Sequence, residues 1–150
     1  MASDGHATAQ IGRRLVIAEL GERGFSVRQV AEGRRPVLVA ERDGARRLVR
    51  VTAKRTGTWQ TSIAYGAETA GPELRGRMWV FVDIGTHPPA FFVVPEAWMA
   101  EDIHRSHQEY LRRHDGTRAQ SPSSKHHSVP IGRIAQWHER WDLLVGASTS

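Results

Sequence analysis

Between Arg47 and Lys54 apolar and polar residues alternate, and the two-residue period of a strand puts Val49, Val51 and Ala53 on one face and Arg50, Thr52 and Lys54 on the other. A face carrying arginine and lysine is suited to a phosphate group, because both side chains supply charge-assisted hydrogen bonds and arginine does so in a planar fork. Arg34, Arg35, Arg46, Arg47 and Arg55 flank this strand in the chain and extend the basic patch, and the Trp59-Gln60 pair adds an aromatic for a stacking or groove contact. The competing reading makes the charges solvated hairpin residues and Trp59 part of the core.

Other groupings carry less chemistry. His104 and His107, three apart, share one helix face as some metal sites require, with His114, His126 and His127 as candidates to complete the set; a polar helix face is the alternative. Ser121, Ser123 and Ser124 lie in a low-complexity stretch with no strand-to-helix nucleophile elbow, which argues against a Ser-His hydrolase. The glycines are scattered singly, so there is neither a P-loop nor a dinucleotide fingerprint. The lack of cysteine removes disulfides, thiolate zinc sites and thiol nucleophiles together. Trp79, Phe81, Phe91 and Phe92 fall on strand patterns and read as core.

The elements that must position these residues are legible from periodicity. From Thr8 to Arg23, Ile11, Leu15 and Ala18 with Val16 and Leu20 recur at helical spacing, and Gly24 stands where a glycine stop belongs. A strand is expected over Phe25 to Val30, a loop over 32–36, and a hairpin of Val37 to Glu41 and Arg47 to Lys54 around the Asp43-Gly44 turn. The polar, glycine-bearing stretch from Thr56 to Gly76 gives no strand signal. Met78 to Ile84 and Ala90 to Val94 are two buried strands joined through His87-Pro88-Pro89, and Pro95 opens a helix reaching about Arg113. Residues 114–130 read as a long mobile loop, and a short helix from Ile131 to Arg140 leads into Trp141-Asp142-Leu143-Leu144, which docks on the core. Residues 1–9 and 146–150 read as disordered termini around one domain spanning 10–145, and there is no internal repeat.

Several of these segments resemble the PD-(D/E)XK nuclease superfamily, in particular its small stand-alone bacterial members. They are residues 11–27 with the glycine-aromatic exit at Gly24-Phe25, Pro36-Val37-Leu38-Val39-Ala40, Val49-Arg50-Val51-Thr52-Ala53-Lys54, Gly57-Thr58-Trp59-Gln60, Phe91-Phe92-Val93-Val94-Pro95, and Arg140-Trp141-Asp142-Leu143-Leu144. The resemblance spans Ile11 to Leu144 and implies an α/β fold with a central mixed sheet of four to five strands flanked by helices, like that of restriction endonucleases. It also implies a site in which carboxylates hold magnesium and a lysine assists metal-dependent phosphodiester hydrolysis. Here each acid position departs from that pattern. Val37 stands at the metal-binding aspartate and Arg13 at the first-helix glutamate. The (Asp/Glu/Gln)-X-Lys element fits in two registers, Thr52 with Lys54 or Arg50 with Thr52, and neither supplies an acid.

The formal charge of +5 favours a polyanionic partner. The leading expectation is therefore a non-catalytic nucleic-acid-binding protein, with DNA as partner and no cofactor, contacting phosphate through Arg34, Arg35, Arg46, Arg50, Lys54, Arg55, Trp59 and Gln60. One alternative is an active magnesium-dependent endonuclease that keeps Lys54 and draws relocated acids from Glu19, Glu22, Glu41 or Asp83. Another is a protein-interaction or regulatory module whose partner surface includes the variable loop, Trp137 and Trp141. A homodimer is compatible with each. The polar amino terminus carries no secretion signal and no apolar run reaches membrane-spanning length, so the expected location is cytoplasmic.

Overall fold

The computed structural model describes residues 2–66, 74, 76–114 and 126–146. In chain order the elements are α1 (Ala2–Glu22), β1 (Ser26–Glu32), β2 (Arg35–Arg42), β3 (Ala45–Lys54), β4 (Trp59–Ser62), a 3-10 turn (Ile63–Gly66), β5 (Met78–Asp83), β6 (Ala90–Pro95), α2 (Glu96–Arg113), β7 (His126–Val129), α3 (Ile131–Ile134), a second 3-10 turn (Ala135–Trp137) and α4 (Asp142–Gly146). The fold is α/β. A five-stranded mixed sheet runs β1-β2-β3-β5-β6, and β4 pairs with β7 as a separate two-stranded ribbon. β1, β2 and β3 form an antiparallel meander, β5 joins β3 in parallel, and β6 returns antiparallel to β5.

The meander is set by its turns. Asp43 and Gly44 both take positive φ, 52° and 80°, as a tight two-residue hairpin requires. Where a loop is expected over 32–36, β1 and β2 instead form a second tight hairpin: Glu32 pairs with Arg35 across Gly33, whose φ of 64° suits a residue without Cβ. All six residues of β5 are buried, the pattern of a strand covered on both faces. One face packs Val49, Val80, Val82 and Val93 against Val16 and Leu20 of α1 and against Trp141 and Leu144. The other packs Trp59, Trp79, Phe81 and Phe92 against Met99 and Ile103 of α2 and Val129 of β7. The outer edge of β6 is covered by the chain after α3, through a bridge from Phe92 to His138 and a Glu139 N–H bond to the Phe91 carbonyl. Among the described residues no helix is long and apolar enough to cross a membrane.

Several expectations change. The helix begins at Ala2 rather than Thr8, so residues expected to be disordered are helical, and its buried seam is Thr8, Gly12, Val16 and Leu20 while Ala18 is exposed. The stretch from Thr56 to Gly76 contains β4 and the first 3-10 turn, and the end of the expected loop contains β7. Neither short strand carries an apolar alternation of its own, and each exists because the other pairs with it, Trp59 with Val129 through Ser62 with His126. The helix expected from Ile131 to Arg140 stops at Ile134 and tightens into the second 3-10 turn. Residues 115–125 of the expected loop and 147–150 of the expected tail lie outside the described residues.

Gly12 marks the closest approach of α1 to the sheet, since a Cβ there would lie 2.6 Å from the Ala53 Cβ. Gly21, in the same helix, has nothing within 4 Å of its virtual Cβ. The two glycines should therefore respond with opposite sign. Gly21→Ala should stabilise by about 0.5–1 kcal/mol through helix propensity, whereas Gly12→Ala should lose more to overpacking, about 1–3 kcal/mol, than it gains. Denaturant midpoints of the two variants measure the difference, and equal shifts would contradict the packing assigned to Gly12.

Candidate functional site

The β2–β3 ladder ends at the Leu38–Val49 pair, whereas the β3–β5 ladder continues to Lys54 and Asp83. From Arg50 onward β3 therefore has no ladder partner on its β2 side, and the hairpin splays open at the start of β2, where Pro36 lacks an N–H to donate. The opening is a cleft of about 180 Å³ lined by Ala9 and Arg13 from α1, Arg35 and Pro36 from β2, Arg50, Val51 and Thr52 from β3, Gln60 and Thr61 from β4, Tyr65, and Trp79 from β5.

The two faces of β3 divide as alternation predicts: Val49, Val51 and Ala53 pack on the α1 side, while Arg50 and Thr52 meet the tryptophan and tyrosine of the other. That second face is not simply basic. Arg50 donates from Nε to Glu96 at 3.1 Å, from Nη2 to Glu32 at 2.9 Å and from Nη1 to the Tyr65 hydroxyl at 3.3 Å. Arg77 donates to the same two carboxylates, to Glu96 at 2.9 Å and to Glu32 at 2.8 and 2.7 Å. Glu96 is 4% exposed. Two arginines and two glutamates thus form a closed network joining β1, β3, the entry to β5 and the first turn of α2. The guanidinium of Arg50 also lies over the Tyr65 and Trp79 rings. Lys54 is neutralised in the same way, 3.0 Å from Asp83 and over the Trp59 ring, while the second oxygen of Asp83 accepts the Gly85 N–H.

Of the acids weighed for a relocated metal site, Asp83 alone shares the face of β3 with Lys54. Glu19 pairs with Arg23 near the end of α1, Glu41 lies with Arg28 and Arg46 at the far end of the β2–β3 hairpin, and Glu22 is exposed. Val37 is buried. Glu32 and Glu96, the carboxylates that do approach Arg50, were not singled out from the sequence, although Glu96 follows Pro95 in a helix-opening position. Both are held by arginine, and among the described residues no carboxylate lines the cleft and no group of three His, Cys, Asp or Glu side chains is placed to hold a metal ion. The described residues do not fit the magnesium site that the nuclease resemblance implies.

The anticipated nucleic-acid contacts separate in space. Arg13 and Arg35 both line the cleft, and among the described residues neither has a carboxylate at ion-pair distance; Arg35 instead lies over Tyr65. Burial with no acid nearby pulls the pKa of Arg13 below its ordinary value, although arginine stays charged. Arg34 is exposed in the β1–β2 turn beside the cleft. Arg55 is exposed at the end of β3, where its Nε donates to Thr8 on α1. Arg46 lies at the opposite end of the hairpin against Glu41, four residues and about 13 Å of strand from Arg50. Trp59 is not a stacking platform: it is fully buried, its indole N–H donating to the Val82 carbonyl. Gln60 is exposed at the cleft rim, where its amide nitrogen donates to Thr58 and Ser128.

The remaining candidates lie apart from the cleft or outside the described residues. His104 and His107 line an open depression with Ser62 and Gly66, His114 stacks on Tyr110, and His126 and His127 belong to β7. The three serines 121, 123 and 124 lie outside the described residues. Trp141 is a buried core residue against Phe91, and Trp137, half-buried, packs edge-on against Trp98.

Comparison of the chain with protein-family models, with curated proteins and with solved structures finds no match.

The ion network makes a prediction about acid. The hydrogen bonds from Arg77 hold the Glu32 carboxyl below its ordinary value against the opposing effect of burial, helped by the charges of Arg77 and Arg50. A carboxyl depressed on folding stabilises the protein above its unfolded-state pKa, and that stability is lost as pH falls through the folded-state value. Unfolding free energy should therefore fall from about pH 5 downward more steeply in the wild type than in Glu32→Gln. Denaturant titrations across this range measure it, and parallel curves would mean that Glu32 is not linked to folding.

Proposed function

We propose that this chain is a non-catalytic nucleic-acid-binding domain on a degenerate nuclease-like scaffold, with phosphate received at the splayed end of the β2–β3 hairpin. The observation that carries the reading is the distribution of charge there. Among the described residues the carboxylates beside β3, Glu32, Glu96 and Asp83, are held by arginine or lysine, while the cleft presents Arg13 and Arg35 with no counter-charge. Arg34 and Arg55 add exposed cations close by. The contact set therefore shifts from the one anticipated on alternation alone: Arg50 and Lys54 shape the site, and Arg13 and Arg35 face its ligand. The net charge of +5 supports a polyanion, and DNA is the partner proposed.

The test is a gel-shift titration in EDTA across a salt series, beside a supercoiled-plasmid assay with magnesium or manganese. With three or four phosphate contacts, affinity should fall roughly 40- to 150-fold between 50 and 200 mM salt, and Arg35→Gln should lower the salt slope by about one. No nicking is expected with either metal. Metal-dependent nicking would overturn the reading in favour of an endonuclease. Absent or salt-insensitive binding would overturn it in favour of a protein-interaction module.

A further inference from the structure

The side chains around the cleft are mostly donors whose accepting capacity is absent or already used. Arg13 and Arg35 can only donate. The Thr52 oxygen accepts the Trp79 indole N–H at 2.8 Å, which leaves its own hydrogen to give, and among the described residues that hydrogen meets no acceptor. Tyr65 repeats the arrangement: its oxygen accepts from Arg50 at 3.3 Å, and its phenolic hydrogen has no acceptor among the described residues. Thr61 gives its hydroxyl to the Ser62 carbonyl at 3.4 Å, and Gln60 keeps its carbonyl oxygen at the exposed rim. Four donors thus come from four different elements, α1, β2, β3 and the first 3-10 turn, into one small space that no carboxylate among the described residues enters.

Resting on the nucleic-acid reading above, we infer that the cleft is a metal-free receptor for a phosphate monoester, Arg13 and Arg35 supplying charge and Thr52 and Tyr65 supplying hydroxyl donors. A monoester offers three terminal oxygens and carries two negative charges when fully ionised, which matches four donors better than the two non-bridging oxygens of a backbone diester. Size points the same way. At about 180 Å³ the cleft lies below the roughly 300 Å³ at which pockets for drug-sized molecules begin, a size suited to a phosphoryl group rather than to a larger organic ligand. The same chemistry is offered by the terminal phosphate of a nucleic-acid strand and by free inorganic phosphate. Burial of Arg13 without a nearby acid adds to the case, because an entering anion restores the solvation that the guanidinium lost.

The experiment measures, in EDTA, binding of one labelled oligonucleotide made with a 5′-phosphate, with a 3′-phosphate and with hydroxyl ends, together with competition by inorganic phosphate. A charged hydrogen bond is worth about 1.5–3 kcal/mol, so at least one phosphorylated form should bind about tenfold or more tighter than the hydroxyl form. Inorganic phosphate should erase the difference. Arg13→Gln should abolish the preference, and Arg35→Gln, at an exposed position where folding is not at stake, should reduce it. Equal binding of all three forms would overturn the inference and leave the nucleic-acid reading standing. Binding of inorganic phosphate with no retention of any oligonucleotide would support the cleft assignment and overturn the nucleic-acid reading. A preference unchanged in both variants would overturn the assignment to this cleft.

Discussion

The closed network of Arg50, Arg77, Glu32 and Glu96 is the constraint on which the site depends. Each arginine bonds both glutamates, so removing any one member leaves the two opposite charges sharing a single partner and the network with an uncompensated charge. Against well-packed apolar residues such a network adds little net stability, because desolvation of four ions offsets their attraction. Its effect is geometric. It ties the end of β1, the middle of β3, the entry to β5 and the start of α2 to one point, and it holds the Arg50 guanidinium between Glu32 and Glu96.

With Arg50 so fixed, the rest of the cleft follows. Tyr65 is held by the Arg50 hydrogen bond and ring contact, Thr52 by the Trp79 indole, and the backbone of β3 beyond Val49 is left without β2 as neighbour. Arg13 reaches this opening because Gly12 lets α1 settle directly on Ala53. The fold pairs the carboxylates Glu32 and Glu96 with arginine and leaves Arg13 and Arg35 facing the cleft. The same exchange explains Lys54, which stands beside its ladder partner Asp83 and contributes no free charge.

Local pattern and tertiary pairing account for different parts of this outcome. The alternation of Arg47 to Lys54, the Asp43-Gly44 turn, the apolar runs of β5 and β6 and the Pro95-led helix are all legible because each signal lies within one element, where period and turn chemistry act directly. β4 and β7 are not, since neither holds its shape without the other and sixty-eight residues separate the paired Gln60 and Ser128. The burial of Trp59 was one of two readings, and only the stacking of β4 against β5 and β6 chose between them.

The sequence by itself determined the face that each residue of β3 presents, the absence of acid along β3, and the surplus of positive charge. Only the tertiary structure decided which of those charges remain available. Neutralisation depends on distances between residues far apart in the chain, as with Arg50 and Glu96 or Arg77 and Glu32, and a linear pattern contains no such distances. The β3 cations that alternation alone singles out, Arg50 and Lys54, are therefore the ones the fold pairs with acids, and Arg13 and Arg35 are left facing the cleft.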